Sequence, residues 1–302
     1  MAAINKHKFV GLFSVVRGNN IILLTIAQYL SAIFVFDVGE SLYETLVNWH
    51  LHFVVLATIC VVSAGYIIND FYDAKMDVVN KPIKTQMGNW ISQKTKLQVY
   101  FAFNFIAFFL GVLISWKAAL FFSSYIFLIW LYSHKLQKNP DIRIFFVSIL
   151  DMFPFFVVFV FYENLSMLIL THGLYLYLVL LLKELIKDFE RDKGAIVMNR
   201  KTLVLKYGEN KVKNSMYLFL IMLGFPTYYL LQLPEVGWMR YYFYAGFVWI
   251  PVFCYLLSKA TKNKDYFTLH NFIRIVLVVG VFSLSLIDTS VLLIKLLKGV
   301  KI

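Results

Sequence analysis

Four residues whose side chains carry oxygen atoms able to bind a metal follow one long apolar stretch of the chain. After the stretch 51–68 come Asn69, Asp70, Asp73 and Asp77. On a continuing helix the three aspartates are spaced i, i+3 and i+7 and share one face. Stacked carboxylates repel one another, so we expect a cation between them, and oxygen-only ligands favour Mg²⁺. The alternative interpretation is an acidic loop in solvent.

A second acidic cluster follows another apolar stretch, 165–182. Its acids, Glu184, Asp188 and Asp192, are spaced i, i+4 and i+8 and again share one helical face. Two such clusters facing each other are suited to Mg²⁺ ions that hold a diphosphate. The expected metal ligands are Asn69, Asp70, Asp73, Asp77, Asp188 and Asp192. The expected catalytic residues among them are Asp70, Asp73, Asp188 and Asp192.

The composition indicates that both clusters belong to a protein embedded in a membrane. The chain has 302 residues, of which 60% are hydrophobic and only 15% are charged, whereas soluble domains average about 25% charged residues. A bilayer-spanning helix needs about 20 mostly apolar residues. We predict an all-α, polytopic membrane protein in which residues 1–302 form a single domain of nine transmembrane helices. The predicted spans are 20–37, 51–68, 98–115, 117–133, 144–162, 165–183, 215–232, 241–258 and 272–294.

The distribution of basic residues predicts the orientation of these spans. Most of the 29 lysine and arginine residues fall in the N-terminal segment and in the loops after even-numbered spans. Because cytoplasmic loops accumulate such residues, we expect the N-terminus and both acidic clusters on the cytoplasmic side of the cell membrane. The clusters would then lie at the mouth of a central cleft. The membrane also accounts for the net charge of +12, so we expect no nucleic-acid partner and no obligate protein partner.

The acidic motifs resemble those of the UbiA superfamily of intramembrane prenyltransferases. The pattern Asn69-Asp70-x-x-Asp73-x-x-x-Asp77, followed by Asn80-Lys81-Pro82, is similar to the first signature of that family. Asp188-x-x-x-Asp192 is similar to the second signature. The resemblance covers nearly the whole chain and agrees with nine helices. It implies Mg²⁺-dependent transfer of a prenyl group from a prenyl diphosphate to an acceptor held in the bilayer.

Within the superfamily, the segments 65–70, 183–188 and 201–208 are similar to those of digeranylgeranylglyceryl phosphate synthases. This resemblance implies a prenylated glycerol phosphate, of the geranylgeranylglyceryl phosphate type, as the lipid acceptor. Several cations near the second cluster also suit a dianionic phosphate. These cations are Lys183, Lys187, Arg191 and Lys193. The chain departs from the family in the compressed acid spacing of its second motif and in Gln137, which stands where a lysine is expected.

The family pattern also implies residues that bind the substrates. Arg17 and Asn20 open the first span in an Arg-x-x-Asn pattern, in which the asparagine faces the cleft. Tyr132 belongs to a tyrosine–serine pattern that ends the fourth span, and Lys135 or Lys138 replaces the lysine missing at position 137.

Charged residues beside the two clusters have two interpretations each. Lys81 and Lys84 flank Pro82 and either contact phosphate or only set the topology of a cytoplasmic loop. Lys187 either binds phosphate or pairs with a neighbouring acid such as Glu184, which supports the second cluster.

Two ionisable residues lie within predicted spans. Asp151 is an intramembrane acid and is a functional candidate for that reason, although an interhelical hydrogen bond would also account for it. We interpret His172 as structural. The 30 phenylalanines and 19 tyrosines permit an aromatic wall around a cationic allylic carbon, but their positions in the sequence do not locate it.

Other functions compete with this interpretation. The same chemistry could prenylate an aromatic quinone precursor instead of a glycerol phosphate. Membrane carboxylates also serve cation-coupled transporters, although inverted repeats of the kind found in transporters are weak here. A phosphatidyltransferase would need a different Asp, Gly and Arg signature, which the sequence lacks.

Overall fold

The fold is helical throughout the described part of the chain. The structure is a computed structural model that describes residues 2–36, 42–163, 166–190, 195–196 and 201–287, and these residues contain no strand. Nine helices in them are long and apolar enough to cross a membrane. The prediction of an all-α, multi-pass membrane protein is therefore confirmed.

Thirteen α-helices can be followed in chain order within the described ranges. They are α1 (Ala2–Val15), α2 (Gly18–Ser31), α3 (Leu42–Val47), α4 (Trp49–Asn80), α5 (Pro82–Gly88), α6 (Gln93–Ile114), α7 (Trp116–His134), α8 (Pro140–Tyr162), α9 (Met167–Glu190), α10 (Leu203–Tyr207), α11 (Glu209–Gln232), α12 (Arg240–Lys259) and α13 (Asn263–Ser283). A π-helical turn, Ala32–Phe36, extends α2, and 3₁₀ turns follow α7, α11 and α13.

The second span, α4, is longer than the bilayer requires because it continues through the first acidic motif. Its 32 residues begin after the cap Asn48, whose side chain accepts a hydrogen bond from the His50 backbone N–H. The helix ends at Asn80 because Lys81 precedes Pro82, and a residue before proline is driven out of the α conformation. The continuing helix that was predicted for this motif is therefore present.

In two short connections between spans, a polar side chain caps the start of the next helix. Ser115 is extended between α6 and α7, and its hydroxyl accepts the Ala118 N–H. Asn139 caps α8 in the same way, before Pro140 at the first helical position. Such caps satisfy backbone donors that a helix start leaves unpaired. The chain therefore reverses direction at Ser115, and α6 packs against α7.

Two short helices that the span prediction did not include, α1 and α5, pack against each other beside the end of α4. They meet closely at Gly11, where a Cβ atom would lie 2.9 Å from the carbonyl oxygen of Met87. The rings of His7 and Trp90 meet edge to face nearby, with centroids 5.0 Å apart. Both helices are too short to span a bilayer, so a hydropathy argument does not detect them.

The sixth span, α9, lies at the centre of the bundle. In it, 72% of the apolar stretch is buried, the largest share among the nine candidate spans of the described chain. It packs against α8, α11 and α13, while α2 contacts α4, α8 and α13. Because α9 is surrounded by protein, its polar residues must find partners on neighbouring helices.

Candidate active site

The first motif forms a polar face on the last three turns of α4. Asp73 and Asp77 are only 3% and 4% exposed. The Asn69 side-chain amide donates a hydrogen bond to Asp73 over 3.2 Å. The Nζ atom of Lys81 lies 3.2 Å from the Asp77 carboxylate. The helix continues through the whole motif, so Asp70, Asp73 and Asp77 share one face, as their spacing predicts.

Two lysines from the segments after α4 hold Asp70. The Nζ atoms of Lys84 and Lys96 lie 3.3 Å and 2.9 Å from its two carboxylate oxygens. The Lys96 side chain is only 3% exposed, and it reaches the motif from the first turn of α6. A buried lysine of this kind must be compensated by an acid, and Asp70 supplies the charge.

Arg17 connects the first motif to the start of α2. It has a left-handed backbone conformation, with φ 54° and ψ 55°, and its guanidinium lies 4.7 Å from the centroid of the Tyr66 ring. Arg17 also acts electrostatically on Lys84, and burial together with this positive charge lowers the pKa of Lys84. A lysine with such surroundings gains from an additional anion, as a bound phosphate would provide.

Asp188, in the second motif, is held by two protein groups. It is 1% exposed, and it pairs with Arg143 of α8. Its other oxygen accepts the Leu203 backbone N–H over 2.6 Å. These contacts tie α8, α9 and the start of α10 together. Asp192 lies outside the described residues, so the second half of this motif has no structural description.

The remaining charges of α9 form a chain that leads into the bundle. Lys187 pairs with the buried Glu184, and the Nζ atom of Lys183 lies 3.3 Å from the same carboxylate. Lys183 also contacts Asp151 of α8 over 2.6 Å. Arg17 acts electrostatically on Lys187 as well as on Lys84. Arg17 is thus close enough to act on a lysine beside each motif.

A cavity of about 560 Å³ opens next to this region. Its walls come from α2, α4, α7, α8, α9, α12 and α13. The charged lining residues are Asp151, Lys183 and Arg274, and each is the lining residue of its helix nearest the end of the bundle that carries the motifs. Asn20 and Tyr66 line the same end. The Asn20 amide donates to the Tyr66 hydroxyl over 3.4 Å. The predicted position of Asn20 in a cleft therefore agrees with the structure.

The aromatic wall of the cavity, which the sequence could not locate, is organised by Pro154. Proline inside a helix lacks the N–H that would bond the carbonyl four residues earlier. That carbonyl belongs to Leu150, and the Tyr125 hydroxyl donates to it over 3.1 Å. The Pro154 carbonyl accepts a hydrogen bond from Gln28 over 3.0 Å. The other aromatic residues of the wall are Phe155, Tyr175 and Tyr242.

Among the predicted site residues that the structure describes, only Asn20 lines the cavity, and both acidic motifs lie beside it. Tyr132 stacks parallel to Phe146, with ring centroids 6.3 Å apart, and Lys135 is an exposed residue at the end of α7. Their substrate-binding roles stay predictions. His172 lines the cavity, and its ring contacts the Leu168 carbonyl over 2.9 Å. The residue interpreted as structural is therefore also part of the cavity wall.

Lys96 and Arg143 contact motif aspartates but are not among the site residues predicted from the sequence. Each is the fourth residue of its helix. A cation is unfavourable at a helix N-terminus because the backbone dipole is positive there. A buried basic residue at this position implies an acidic partner, and this signal could have identified both.

The first motif fits a magnesium ion by the chemistry of its donors. Amide and carboxylate oxygens are the ligands that Mg²⁺ prefers, and Asn69 and Asp73 lie in direct contact. Within the described ranges, however, no three acidic, histidine or cysteine side chains converge as a complete metal site. A bound ion would therefore need further oxygen ligands, such as those of a diphosphate.

Comparison with known proteins identifies the family. Residues 29–278 match the UbiA prenyltransferase family. The chain belongs to this family. A relative, the digeranylgeranylglyceryl phosphate synthase of Methanococcus vannielii, is 28% identical over 256 residues, which cover 76% of this chain and 84% of the relative.

Solved structures of UbiA proteins share the fold. One, described as digeranylgeranylglyceryl phosphate synthase in membranes, has a TM-score of 0.70 at 18% identity and covers 94% of this chain and 99% of its own. Another, a UbiA homologue from Archaeoglobus fulgidus bound to GPP and Mg²⁺, has a TM-score of 0.65 at 12% identity, with coverages of 91% and 99%. Family membership confirms the predicted resemblance and the assignment as a prenyltransferase.

Proposed function

We propose that this UbiA protein transfers a prenyl group from a prenyl diphosphate to a prenylated glycerol phosphate and releases diphosphate in an Mg²⁺-dependent reaction. The observation that carries the proposal is a single cavity with a cationic, polar end and an aromatic interior. A diphosphate matches the first end, and a prenyl chain matches the second. The acceptor would be of the geranylgeranylglyceryl phosphate type.

The residues proposed to bind the diphosphate lie next to the polar end of the cavity, and they divide into metal ligands and phosphate-binding cations. Asn69, Asp70 and Asp73, supported by Asp77, would hold Mg²⁺, and Asp192 with Asp188 would complete the second motif. When bound, the ion offsets the negative charge that develops on the leaving diphosphate. Phosphate oxygens would be bound by Arg17, Lys81, Lys84 and Lys187. Tyr66 and Tyr125 supply π faces beside the carbon that becomes cationic.

Arg274 supports a phosphate-bearing acceptor. Phe189 stacks on Tyr266 at 4.2 Å, and Glu190 lies 2.9 Å from His270. These contacts set the register of α9 and α13, which cross the bundle in opposite directions. Arg274 lies one turn after His270 on α13 and lines the cavity. An arginine inside a span is energetically costly unless it pairs with a ligand or another residue. Its guanidinium can donate two parallel hydrogen bonds to a phosphate.

Names of relatives point in the same direction. The relative described above is named as a digeranylgeranylglyceryl phosphate synthase, and one UbiA homologue was solved with GPP and Mg²⁺. The membership in a prenyltransferase family favours an enzyme over the transporter considered from the sequence. An aromatic quinone precursor is the alternative acceptor, since the same donor chemistry would serve it.

A competition assay tests the acceptor. Purified protein receives a prenyl diphosphate and Mg²⁺ together with a prenylglyceryl phosphate and 4-hydroxybenzoate, and the products are identified by mass spectrometry. We expect the ether product. Exclusive prenylation of the aromatic ring would overturn the acceptor assignment and leave the donor chemistry intact. Arg274→Ala should raise the KM of the phosphate acceptor by about tenfold or more, as the loss of a charge-assisted hydrogen bond implies, with the prenyl diphosphate KM unchanged.

The orientation proposed for the protein follows from its charge distribution. The N-terminus and both motifs would face the cytoplasm, because the basic residues concentrate on that side. Residues 1–302 would act as one domain without an obligate protein partner. The water-soluble diphosphate would then be released to the cytoplasm, while the lipid product stays in the membrane.

A further inference from the structure

An ion pair between α8 and α9 lies in the wall of the cavity. Lys183 Nζ is 2.6 Å from Asp151 Oδ2, and the Asp151 side chain is 34% exposed. Both residues line the cavity, so the exposed part of the carboxylate faces the space in which the substrates would meet. A carboxylate at such a place in a membrane protein is costly to maintain, and neither motif uses it.

The surroundings of Asp151 keep a carboxylate available for chemistry. Asp151 is next in sequence to Leu150, whose carbonyl accepts the hydrogen bond from the Tyr125 hydroxyl. Pro154 lies about one turn further along the same helix. This proline-marked turn holds Asp151 against the aromatic part of the cavity. Lys183 has a second carboxylate, Glu184, at 3.3 Å. The lysine charge therefore stays compensated when Asp151 accepts a proton.

We propose that Asp151 is the general base that takes the proton of the acceptor hydroxyl, with Lys183 as its positioning residue. The inference rests on the proposed transfer to a hydroxyl acceptor. The bond between the prenyl C1 and the diphosphate oxygen breaks, and diphosphate leaves with the electron pair. The acceptor oxygen forms its bond to C1 and loses its proton to the Asp151 carboxylate. Ether, diphosphate and a neutral Asp151 are the products.

Asp151→Asn removes the base and keeps the size of the side chain. Ether formation should fall by about 100-fold or more, the range for loss of a positioned general base. Release of diphosphate from the prenyl diphosphate in the absence of acceptor should persist, with free prenol as the second product, because that step does not use Asp151. The acceptor KM should stay unchanged, since Asp151 acts on the proton and not on the phosphate.

Asp141→Asn is the matched control on the same helix. Asp141 pairs with Lys206 and Tyr207 and is not among the residues that line the cavity. This variant should retain wild-type ether formation. Equal losses in Asp141→Asn and Asp151→Asn would point to a general effect on α8 and overturn the proposal.

A double variant separates a base from a purely structural ion pair. Asp151→Leu with Lys183→Met replaces the pair by apolar side chains, which often preserves stability. A structural pair predicts that this variant regains the ether formation lost in Asp151→Asn, and that outcome would overturn the proposal. A base predicts that ether formation stays lost in a protein of normal thermal stability.

Asp151→Glu covers the case in which Asp151→Asn does not fold. It retains the carboxylate and should form ether more than about tenfold faster than the double variant, as partial general-base function implies. Equal rates in the two would contradict the proposal. Failure of the proposed function is distinguishable, because the wild-type protein would then cleave the prenyl diphosphate without forming any glycerol ether.

Discussion

At the residue scale, the first motif concentrates negative charge on one buried helix face. Asp73 is 3% exposed and contacts Asn69, so the two side chains together offer oxygen donors to a cation. We expect Asp73→Asn to lower turnover by more than about 100-fold, because it removes a strong electrostatic contributor to the reaction. Turnover is measured as diphosphate release, at matched expression in the membrane.

The control for Asp73→Asn is Glu163→Gln. Glu163 is an exposed acid that pairs with Lys117 at the start of α7, away from both motifs. It should leave turnover unchanged. Wild-type turnover in Asp73→Asn would exclude the first motif from the catalytic machinery.

Asp188 has a structural partner whose loss should be visible in stability. Arg143→Met leaves the 1% exposed Asp188 without its guanidinium. Breaking a buried pair in this way costs about 3–5 kcal/mol, so the unfolding midpoint in detergent should fall clearly. Adding Asp188→Asn removes the uncompensated charge and should recover most of the loss. A single variant as stable as wild type would show that the pair contributes nothing to the fold.

At the scale of elements, the charged residues of the candidate active site are carried by the ends of several helices. α4 carries its motif beyond the length a bilayer needs, and α5 and α6 then return Lys84 and Lys96 to Asp70. α9 brings its own acids to the same end of the bundle, where Arg17 acts electrostatically on Lys84 and on Lys187. This arrangement requires both motifs on one side of the membrane.

Cysteine labelling tests that requirement. In a background without Cys60 and Cys254, single cysteines replace residues in loops on the two sides. Cysteines at Lys94, Lys138 and Lys206 should react with a membrane-impermeant reagent only from the cytoplasmic side. Cysteines at Glu44 and Glu235 should react only from the opposite side. Labelling of positions 94 and 206 from opposite sides would mean that the motifs cannot share a cavity.

At the scale of the whole molecule, seven of the nine apolar spans in the described chain line a cavity with a charged end and an aromatic interior. The aspartates of the motifs and a bound diphosphate are all negatively charged, so cations must lie between them. We therefore expect EDTA to abolish prenyl transfer and added Mg²⁺ to restore it. Prenyl-product formation in detergent is the measurement.

Thermal unfolding provides the control for this metal dependence. The helices are held by packing and by pairs such as Arg143–Asp188, so EDTA should leave the unfolding midpoint nearly unchanged. Full activity in EDTA would contradict the proposed role of Mg²⁺. A large fall in the unfolding midpoint in EDTA would instead show that the metal stabilises the fold.

The sequence by itself determined the features that depend on local physics. Bilayer thickness requires about 20 apolar residues for each span, so nine helices could be counted. Helical periodicity alone places Asp70, Asp73 and Asp77 on one face. The same motif identified the prenyltransferase family, which the match over residues 29–278 confirms.

Only the tertiary structure decided which side chains meet across the bundle. It paired Lys96 with Asp70, Arg143 with Asp188 and Lys183 with Asp151, and it turned Arg274 towards the cavity. Hydropathy and periodicity do not contain these contacts, because they depend on the rotation and register of each helix against its neighbours. Those two quantities are set by how side chains pack over the whole bundle.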